Sequence, residues 1–422
     1  MFVTIEEALS GKLKGKEVTL KGWIYRKREQ KEIDFIILRD STGLIQMAAK
    51  NNSEARRSTI ESSIETTGIV KEDARAPGGY EIQVKDFRII GLAETYPIGK
   101  DLSEEFLRDV RHLWLRSPKM TAIMNIRSNV IKLVNDWFLS HNYKQVSPPM
   151  FVSGACEGGS TLFELKYFDK KAFLTQSWQL YAEAMIYSLE KIYTIAPSFR
   201  AEKSRTIRHL TEYWHIECEQ AFADMEDIMK VEEQLVSHIC QSVAQQNRKE
   251  LETLKVDYKK LASVYAPFER ITYDEAIDLL QGKRLNIKWG DDLGYDEEKT
   301  LAEEFGKPFF VYAYPKKIKA FYCKIYPDKP KLAMSADMLV PRIGEISTGG
   351  SRVDEKNELI QRMREFDLDP KDYEWYVDLR RFGTVPHAGF GLGLERLLTW
   401  MLNLNSIFDA IPFPRTMARI YP

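Results

Sequence analysis

Arg200 and Glu202 stand two residues apart in the segment FRAE, 199–202. On a strand, that spacing sends both side chains to one face. An arginine beside a glutamate on a sheet is also the ordinary form of a cross-face ion pair, so the pair decides nothing alone. The next residues add a second feature. The stretch 203–207, KSRTI, is polar and carries Lys203 and Arg205; Arg208 and His209 come next, and a β-rich run returns over 211–219. A hairpin with a basic loop suits a triphosphate, because arginine offers paired donors to phosphate oxygens. Two further groups could join it. GFGLGLER, 389–396, combines three glycines, which permit close backbone approach, with Arg396 at the start of a helix. There a guanidinium could lie over an aromatic base. Asp337 and Glu345, on or beside neighbouring strands, could hold Mg²⁺ and its waters next to phosphates.

These residues need a scaffold, and the chain divides into two kinds. Over the first 100 residues, 17–25, 33–39, 44–49, 67–71 and 80–90 read as strands, with a short helix expected over 54–64. Five strands with a helix after the third is the plan of an OB-fold barrel; another small β-barrel would share the pattern. Residues 91–118 read as a connector containing Pro97, Gly99 and the basic residues Arg108, Arg111, His112 and Arg116. From 119 onward, helices alternate with strands. Ile123, Ile126, Val130, Val134 and Phe138 form one helical stripe, and 179–190 and 228–245 read as further helices. Strands are expected at 191–196, 211–219, 308–314 and 336–340. The fold class is therefore α+β, with expected domains at 1–97 and 119–422 and a hinge at 98–118.

Composition excludes several alternatives. The 422 residues carry 61 basic and 62 acidic groups, so no global charge advertises a nucleic-acid partner, although a local basic face would suffice. Cys156, Cys218, Cys240 and Cys323 form no C-x-x-C, and the six histidines form no H-E-x-x-H, which argues against a zinc site. No Walker A loop or G-x-G-x-x-G is present. The charged N-terminus lacks a signal-peptide core, and no apolar run is long enough to span a membrane, so a cytoplasmic protein is expected.

Taken in order, these segments resemble class II aminoacyl-tRNA synthetases, and within them the aspartyl/asparaginyl/lysyl subclass. The helix and strand ending in SPP, 147–149, resemble motif 1, 199–219 motif 2, and 389–396 motif 3. The resemblance implies a class II antiparallel-sheet catalytic domain behind an OB-fold anticodon-binding domain, ATP and Mg²⁺, and a homodimer formed through motif 1. It implies an ATP site of Arg200, Glu202, Arg208, His209, Leu210, Glu212, Tyr213, Glu345 and Arg396. Arg200, Glu202 and Arg396 would be catalytic, and Tyr213 and Arg396 would sandwich the adenine. Asp337 and Glu345 match the metal acids, one residue further apart than in some aspartyl enzymes. Glu157 matches a mobile-loop acid for the substrate ammonium.

The amino acid is addressed by QSWQLYAE, 176–183. Aspartyl enzymes are similar to QSPQLYKQ there, and their lysine pairs with the substrate side-chain carboxylate. Ala182 lacks that charge, and Glu183 adds a carboxylate that would accept an amide N–H, while Arg352 matches an arginine donating to the side-chain oxygen. With Gln179, these residues imply asparagine as substrate and tRNA(Asn) as partner. In the first domain, the resemblance sets Arg28, Phe35 and Gln46 at the anticodon, Phe35 stacking on its central uridine. The first 100 residues carry 17 basic and 15 acidic groups, so charge adds little. An aspartyl enzyme of relaxed tRNA choice, a tRNA-independent asparagine-forming relative and a non-catalytic RNA-binding derivative remain as alternatives. The last two would be marked by loss of the OB domain or of Arg200, Glu345 or Arg396, all of which are present.

Overall fold

Alternation with a period of two builds the N-terminal barrel. Ile36 and Leu38 point inward from Ile33–Arg39, and Ile45, Met47 and Ala49 from Leu44–Lys50. Val18, Leu20 and Ile24 of Glu17–Glu29, Ile64 and Val70 of Ser63–Glu72, and Ile82 and Phe87 of Tyr80–Gly91 complete the core. With these strands numbered β1 to β5 in chain order, the closed barrel runs β1-β2-β3-β5-β4. The β3 and β5 strands are parallel, as in the expected OB plan. The computed structural model describes residues 1–99, 102–154, 156, 161–203 and 209–422, and the chain separates into two units, Met1–Trp114 and Leu115–Pro422.

The helix expected over 54–64 is a single turn and a half, Ser53–Arg57. Asn52 caps it by accepting from the Ala55 N–H at 2.8 Å. Lys27 ends it by donating to the Arg56 and Ser58 carbonyls at 2.6 and 2.9 Å. The following residues join β4 instead, because Ile64, Thr66 and Val70 alternate into the core. The expected hinge is also more structured than its composition suggests: Glu104–Asp109 and Arg111–Trp114 are helical, and Arg111 is buried.

The second unit is built on an eight-stranded sheet. Its order is Glu269–Thr272, Phe309–Tyr312, Ser335–Val340, Gly344–Ser351, His387–Gly393, Glu212–Ala221, Lys191–Phe199 and Lys144–Gln145. The inner pairings are antiparallel, and the outermost pair at each end is parallel. The helix Met225–Gln246 covers one face and packs against the helix Pro118–Ser140. The whole expected stripe from Ile123 to Phe138 is buried there. Ser117 caps that helix with Pro118 in its first turn, and Asp224 caps the other in a reciprocal capping box.

Candidate active site

The central hairpin pairs Lys191–Phe199 with Glu212–Ala221, Phe199 opposite Glu212. Alternation on the second strand sends Tyr213, His215, Glu217 and Glu219 to the face away from the covering helix. The first three line a cavity of about 600 Å³. Its walls include Gln179, Arg200, Glu202, His209, Leu210, Glu345, Arg352 and Arg396, all named by the sequence. Residues 199–219, 345–352 and 389–396 thus meet in one place because their strands are neighbours in the sheet.

At the phosphate end the geometry differs from the sequence expectation. The hairpin strand stops at Phe199, so Arg200 and Glu202 lie beyond it rather than on it. The Arg200 guanidinium nonetheless stands 3.9 Å from Glu202 Oε1 and 5.6 Å from the Tyr213 ring centroid. His209 Nε2 approaches Glu202 Oε2 at 3.8 Å. Arg208 and Glu157 lie outside the described residues. Glu212 does not line the cavity; its backbone bridges Arg415. Arg396 donates to the Glu345 carbonyl at 2.9 Å and to Glu345 Oε1 at 3.1 Å. Beneath this region His215 accepts from or donates to Ser198 Oγ at 3.1 Å. Burial, with Arg200 and Arg396 nearby, holds its imidazole far below its ordinary pKa and hence neutral.

The two metal-acid candidates separate. Glu345 faces the cavity, whereas Asp337 sits behind Lys319, whose ammonium contacts both carboxylate oxygens at 2.6 and 2.8 Å. Lys319 itself lies over the Tyr314 ring, 3.9 Å from its centroid. A bulge separates the acids: Met338 pairs with Ser347 but Leu339 with Glu345, leaving Ile346 as an extra residue. Asp292, which no motif pointed to, also lines the cavity, and burial raises its carboxyl above the usual range while Lys319 opposes the shift.

The amino-acid end requires a correction. Glu183 is fully buried and does not line the cavity. It accepts from Gln179 Nε2 at 2.9 Å, Tyr376 OH at 2.6 Å and His387 Nε2 at 2.9 Å, and it pairs with Arg380. Its two oxygens are thus committed to protein donors. The carboxylate beside Arg352 is Glu219: Arg352 Nε and one terminal nitrogen reach its two oxygens at 3.1 and 3.0 Å. Gln179 Nε2 donates to Glu219 Oε2 at 3.1 Å. The sequence pointed to neither Glu217, which lines the cavity, nor Glu219 behind it, although the 213-215-217-219 alternation is a signal that could have found both.

Trp178 and Ala182 also find an account. Both are buried in one apolar cluster with Ile186, Ile192, Ala221 and Val385. One helical turn separates them, and both are fully buried, so a longer side chain at 182 would have to find space in a packed cluster. The helix Gln179–Leu189 starts against Glu217, which accepts from Ser177 Oγ and, at 3.3 Å, from the Trp178 N–H. A carboxylate there also suits the positive end of the helix.

On the barrel, Phe35 faces outward, since Asp34, Ile36 and Leu38 take the inward positions of β2. A bulge at Tyr25 aligns Arg26 with Ile37 and Arg28 with Phe35. Arg26, Lys27, Arg28, Phe35, Ile37, Gln46 and Arg75 border a recess of about 420 Å³. The Arg28 guanidinium lies 5.4 Å from the Phe35 centroid, and Gln46 Nε2 donates to Glu81 at 3.0 Å.

Among the described residues, no helix is long and apolar enough to cross a membrane. Residues 103–417 match the family model for class II tRNA synthetases (D, K and N), and residues 18–90 match the OB-fold nucleic acid binding domain. The chain is 53% identical over 417 residues to an asparagine–tRNA ligase of Thermococcus gammatolerans, covering 97% of each chain. The asparaginyl-tRNA synthetase of Pyrococcus horikoshii, solved with asparaginyl-adenylate, superposes with a TM-score of 0.97 at 50% identity, covering 100% of this chain and 99% of that one. The asparaginyl-tRNA synthetase of Entamoeba histolytica superposes with a TM-score of 0.92 at 33% identity, covering 100% of both chains.

Proposed function

Since the chain belongs to the class II tRNA synthetases of the D, K and N group, we infer that it joins asparagine to tRNA(Asn) through an asparaginyl-adenylate. In the first step the asparagine α-carboxylate attacks the α-phosphorus of ATP and pyrophosphate leaves. In the second, a terminal ribose hydroxyl of the tRNA attacks the adenylate carbonyl and AMP leaves. No protein nucleophile is needed, so catalysis reduces to positioning and to neutralising phosphate charge.

The observation that carries the amino-acid choice is the charge balance at the pocket floor. The buried carboxylates Glu183 and Glu219 are paired with the buried guanidiniums Arg380 and Arg352, His387 Nε2 also reaches Glu183, and the buried Glu217 faces the cavity. A neutral carboxamide adds no charge to this set. Its oxygen suits an Arg352 N–H, and its nitrogen suits an oxygen of Glu217; both residues line the cavity. Aspartate would add a further carboxylate beside Glu217 where, among the described residues, Arg352 and Arg380 are already paired with acids, and an uncompensated buried charge costs several kcal/mol. Glu219, like Glu183, is fully buried and lies behind the cavity wall, where it holds Arg352 and Gln179; the carboxylate of this strand that faces the cavity beside them is Glu217.

At the other end, Arg200 is suited to the α-phosphate and Glu202 to the adenylate. Tyr213 and Arg396 would take the two faces of adenine, and His209 and Leu210 the walls beside the phosphates and base. Arg208, Glu212 and Glu157 keep the roles the family resemblance gives them. A Mg²⁺ ion fits Glu345, the acid that faces the cavity beside a basic wall; Asp337 could join only if its contact with Lys319 opens. When bound, the ion would neutralise phosphate charge and orient the leaving pyrophosphate. On the barrel, Phe35 offers a stacking face and Arg28 a basic contact. Because Glu81 takes a Gln46 N–H, the Gln46 carbonyl is turned outward, where it could accept the N3–H of the central anticodon uridine. A cytoplasmic homodimer joined through motif 1 completes the reading.

Amino-acid-dependent ATP–pyrophosphate exchange tests it, run with asparagine, aspartate and lysine. Exchange is expected with asparagine; exchange driven by aspartate and not asparagine would overturn the substrate assignment.

A further inference from the structure

We propose that Glu183 is a positioning residue that presets the asparagine pocket from one layer behind it, by locking the Gln179 side-chain amide with its oxygen toward the substrate. The inference rests on the assignment of this cavity to asparagine.

Gln179 is the residue through which the buried layer reaches the cavity. It lines the cavity, yet its amide nitrogen is turned inward, 2.9 Å from Glu183 Oε1 and 3.1 Å from Glu219 Oε2. A primary amide nitrogen carries two hydrogens, and the two carboxylates take both. The opposite amide orientation would set Oε1 against two carboxylate oxygens, acceptor against acceptor, among buried side chains. The amide is thereby fixed. Oε1 is left as its acceptor toward the cavity, suited to an N–H of the substrate's ammonium or carboxamide.

That lock needs Glu183 ionised and immobile, and its surroundings provide both. Arg380, Tyr376 and His387 all reach its carboxylate. Burial would raise the Glu183 carboxyl, but Arg380 and then His387 hold it below its ordinary value. The anchors are themselves held: Arg380 Nε donates to the Val353 carbonyl at 2.8 Å, and His387 Nδ1 contacts the Val385 carbonyl at 2.7 Å. Val353 follows Arg352, and the Arg352 N–H donates to the His387 carbonyl at 2.9 Å. One closed network therefore ties Glu183, Gln179, Glu219 and Arg352. Among the described residues, Glu183, Glu219 and His387 come close enough to suggest a metal site. The two guanidiniums already paired with these carboxylates argue against a cation there.

The test is E183Q, which keeps the side chain's volume. Exchange kinetics would be measured with asparagine, aspartate and ATP varied in turn, together with the melting temperature. The expected result is a rise of at least tenfold in the asparagine KM and a fall of at least tenfold in the asparagine-over-aspartate ratio of kcat/KM. The ATP KM should stay within twofold, since the nucleotide end does not touch this network. A folded E183Q protein with an unchanged asparagine KM would overturn the proposal, and so would equal losses for ATP and asparagine. If E183Q does not fold, Tyr376→Phe removes a single hydroxyl from the network; its asparagine KM should rise several-fold, and no rise overturns the proposal. Wild-type protein run alongside separates the two readings: no asparagine-driven exchange there would count against the cavity assignment, not against the lock.

Discussion

Glu219→Gln is the sharpest test of the pocket, because it changes charge and hydrogen bonding while keeping shape. Arg352 presents two N–H groups to the two Glu219 oxygens at 3.1 and 3.0 Å, and both side chains are almost wholly buried. Glutamine can offer only one acceptor, so at least one charge-assisted bond is lost, worth about 1.5–3 kcal/mol. Breaking a buried ion pair from one side costs about 3–5 kcal/mol in stability. At about 2–4 °C per kcal/mol for a domain of this size, that predicts a melting temperature lower by roughly 6–20 °C. The substrate effect is separate. Asparagine loses the fixed setting of Arg352 and Gln179, the two cavity-lining side chains that Glu219 holds, so its kcat/KM should fall on the order of 10- to 100-fold, at about 1.4 kcal/mol per tenfold. Aspartate meets a floor that now carries one uncompensated positive charge, and its kcat/KM should hold or rise. The asparagine-over-aspartate ratio in pyrophosphate exchange should therefore collapse by about 100-fold or more. A variant that still exchanges and keeps the wild-type ratio within about threefold would refute the role of Glu219 in setting Arg352 and Gln179 for the substrate.

Arg200→Ala should lower asparagine-dependent exchange by about 10²-fold or more, the usual consequence of losing a preorganised donor to developing charge. Its melting temperature should barely move, because the Arg200 side chain is about one-third exposed; exchange within tenfold of wild type would remove Arg200 from the phosphate site. Phe35→Ala should weaken aminoacylation through the tRNA KM by about 1–3 kcal/mol of lost stacking while leaving exchange intact. An equal loss of exchange would contradict a purely anticodon role. Glu232→Gln should stabilise the protein, and increasingly so as pH rises. Burial, with Asp337, Glu233 and Glu345 nearby, pushes the Glu232 carboxyl up to about 8, against 4.5 when unfolded, while Ser347 opposes the shift. The folded state thus holds a proton that the unfolded state releases, so wild-type stability falls from pH 4.5 to 8 and levels above. Without added Mg²⁺, the melting-temperature gain of Glu232→Gln should be near zero at pH 4.5 and worth a few kcal/mol by pH 8; a pH-independent gain would show that Glu232 does not titrate there.

How far each feature could be read from the sequence depends on the range of the interactions concerned. The barrel strands were visible because Ile36, Leu38, Ile45 and Met47 alternate within single short segments. The helix expected over 54–64 was overextended because Ile64 and Thr66 suit a strand only once a neighbouring strand exists to pair with them. Arg200, Arg396, Arg352 and Glu345 were identified by the motif resemblance, and their strands bring them to one cavity. The expectation that Glu183 faces the substrate has the same origin. Glu183 lies on the segment that faces the substrate, so it was read as facing the substrate too. Its partners Tyr376, Arg380 and His387 lie about 200 residues away, and no local pattern announces them. Lys319 was equally hidden: it belongs to no motif, yet it occupies the position in front of Asp337.

The glycines of 389–393 connect the motif to the pocket more closely than their common spacing suggests. On this strand Gly389 lies opposite Glu219, Gly391 opposite Glu217 and Gly393 opposite His215. The three positions are not equivalent. A Cβ at Gly391 or Gly393 would meet its nearest neighbours at 3.6 and 3.7 Å, which is ordinary contact. A Cβ at Gly389 would lie 2.0 Å from Glu219 Oε2 and 2.2 Å from the Cys218 carbonyl, so either the strands or the carboxylate would have to move. Glu219 can lie flat against its neighbouring strand only because that strand offers bare backbone there. In that position one oxygen reaches Arg352 while the other is shared by Arg352 and Gln179. The missing side chain at 389 is thus part of how Glu219 comes to hold Arg352 and Gln179 at the cavity wall.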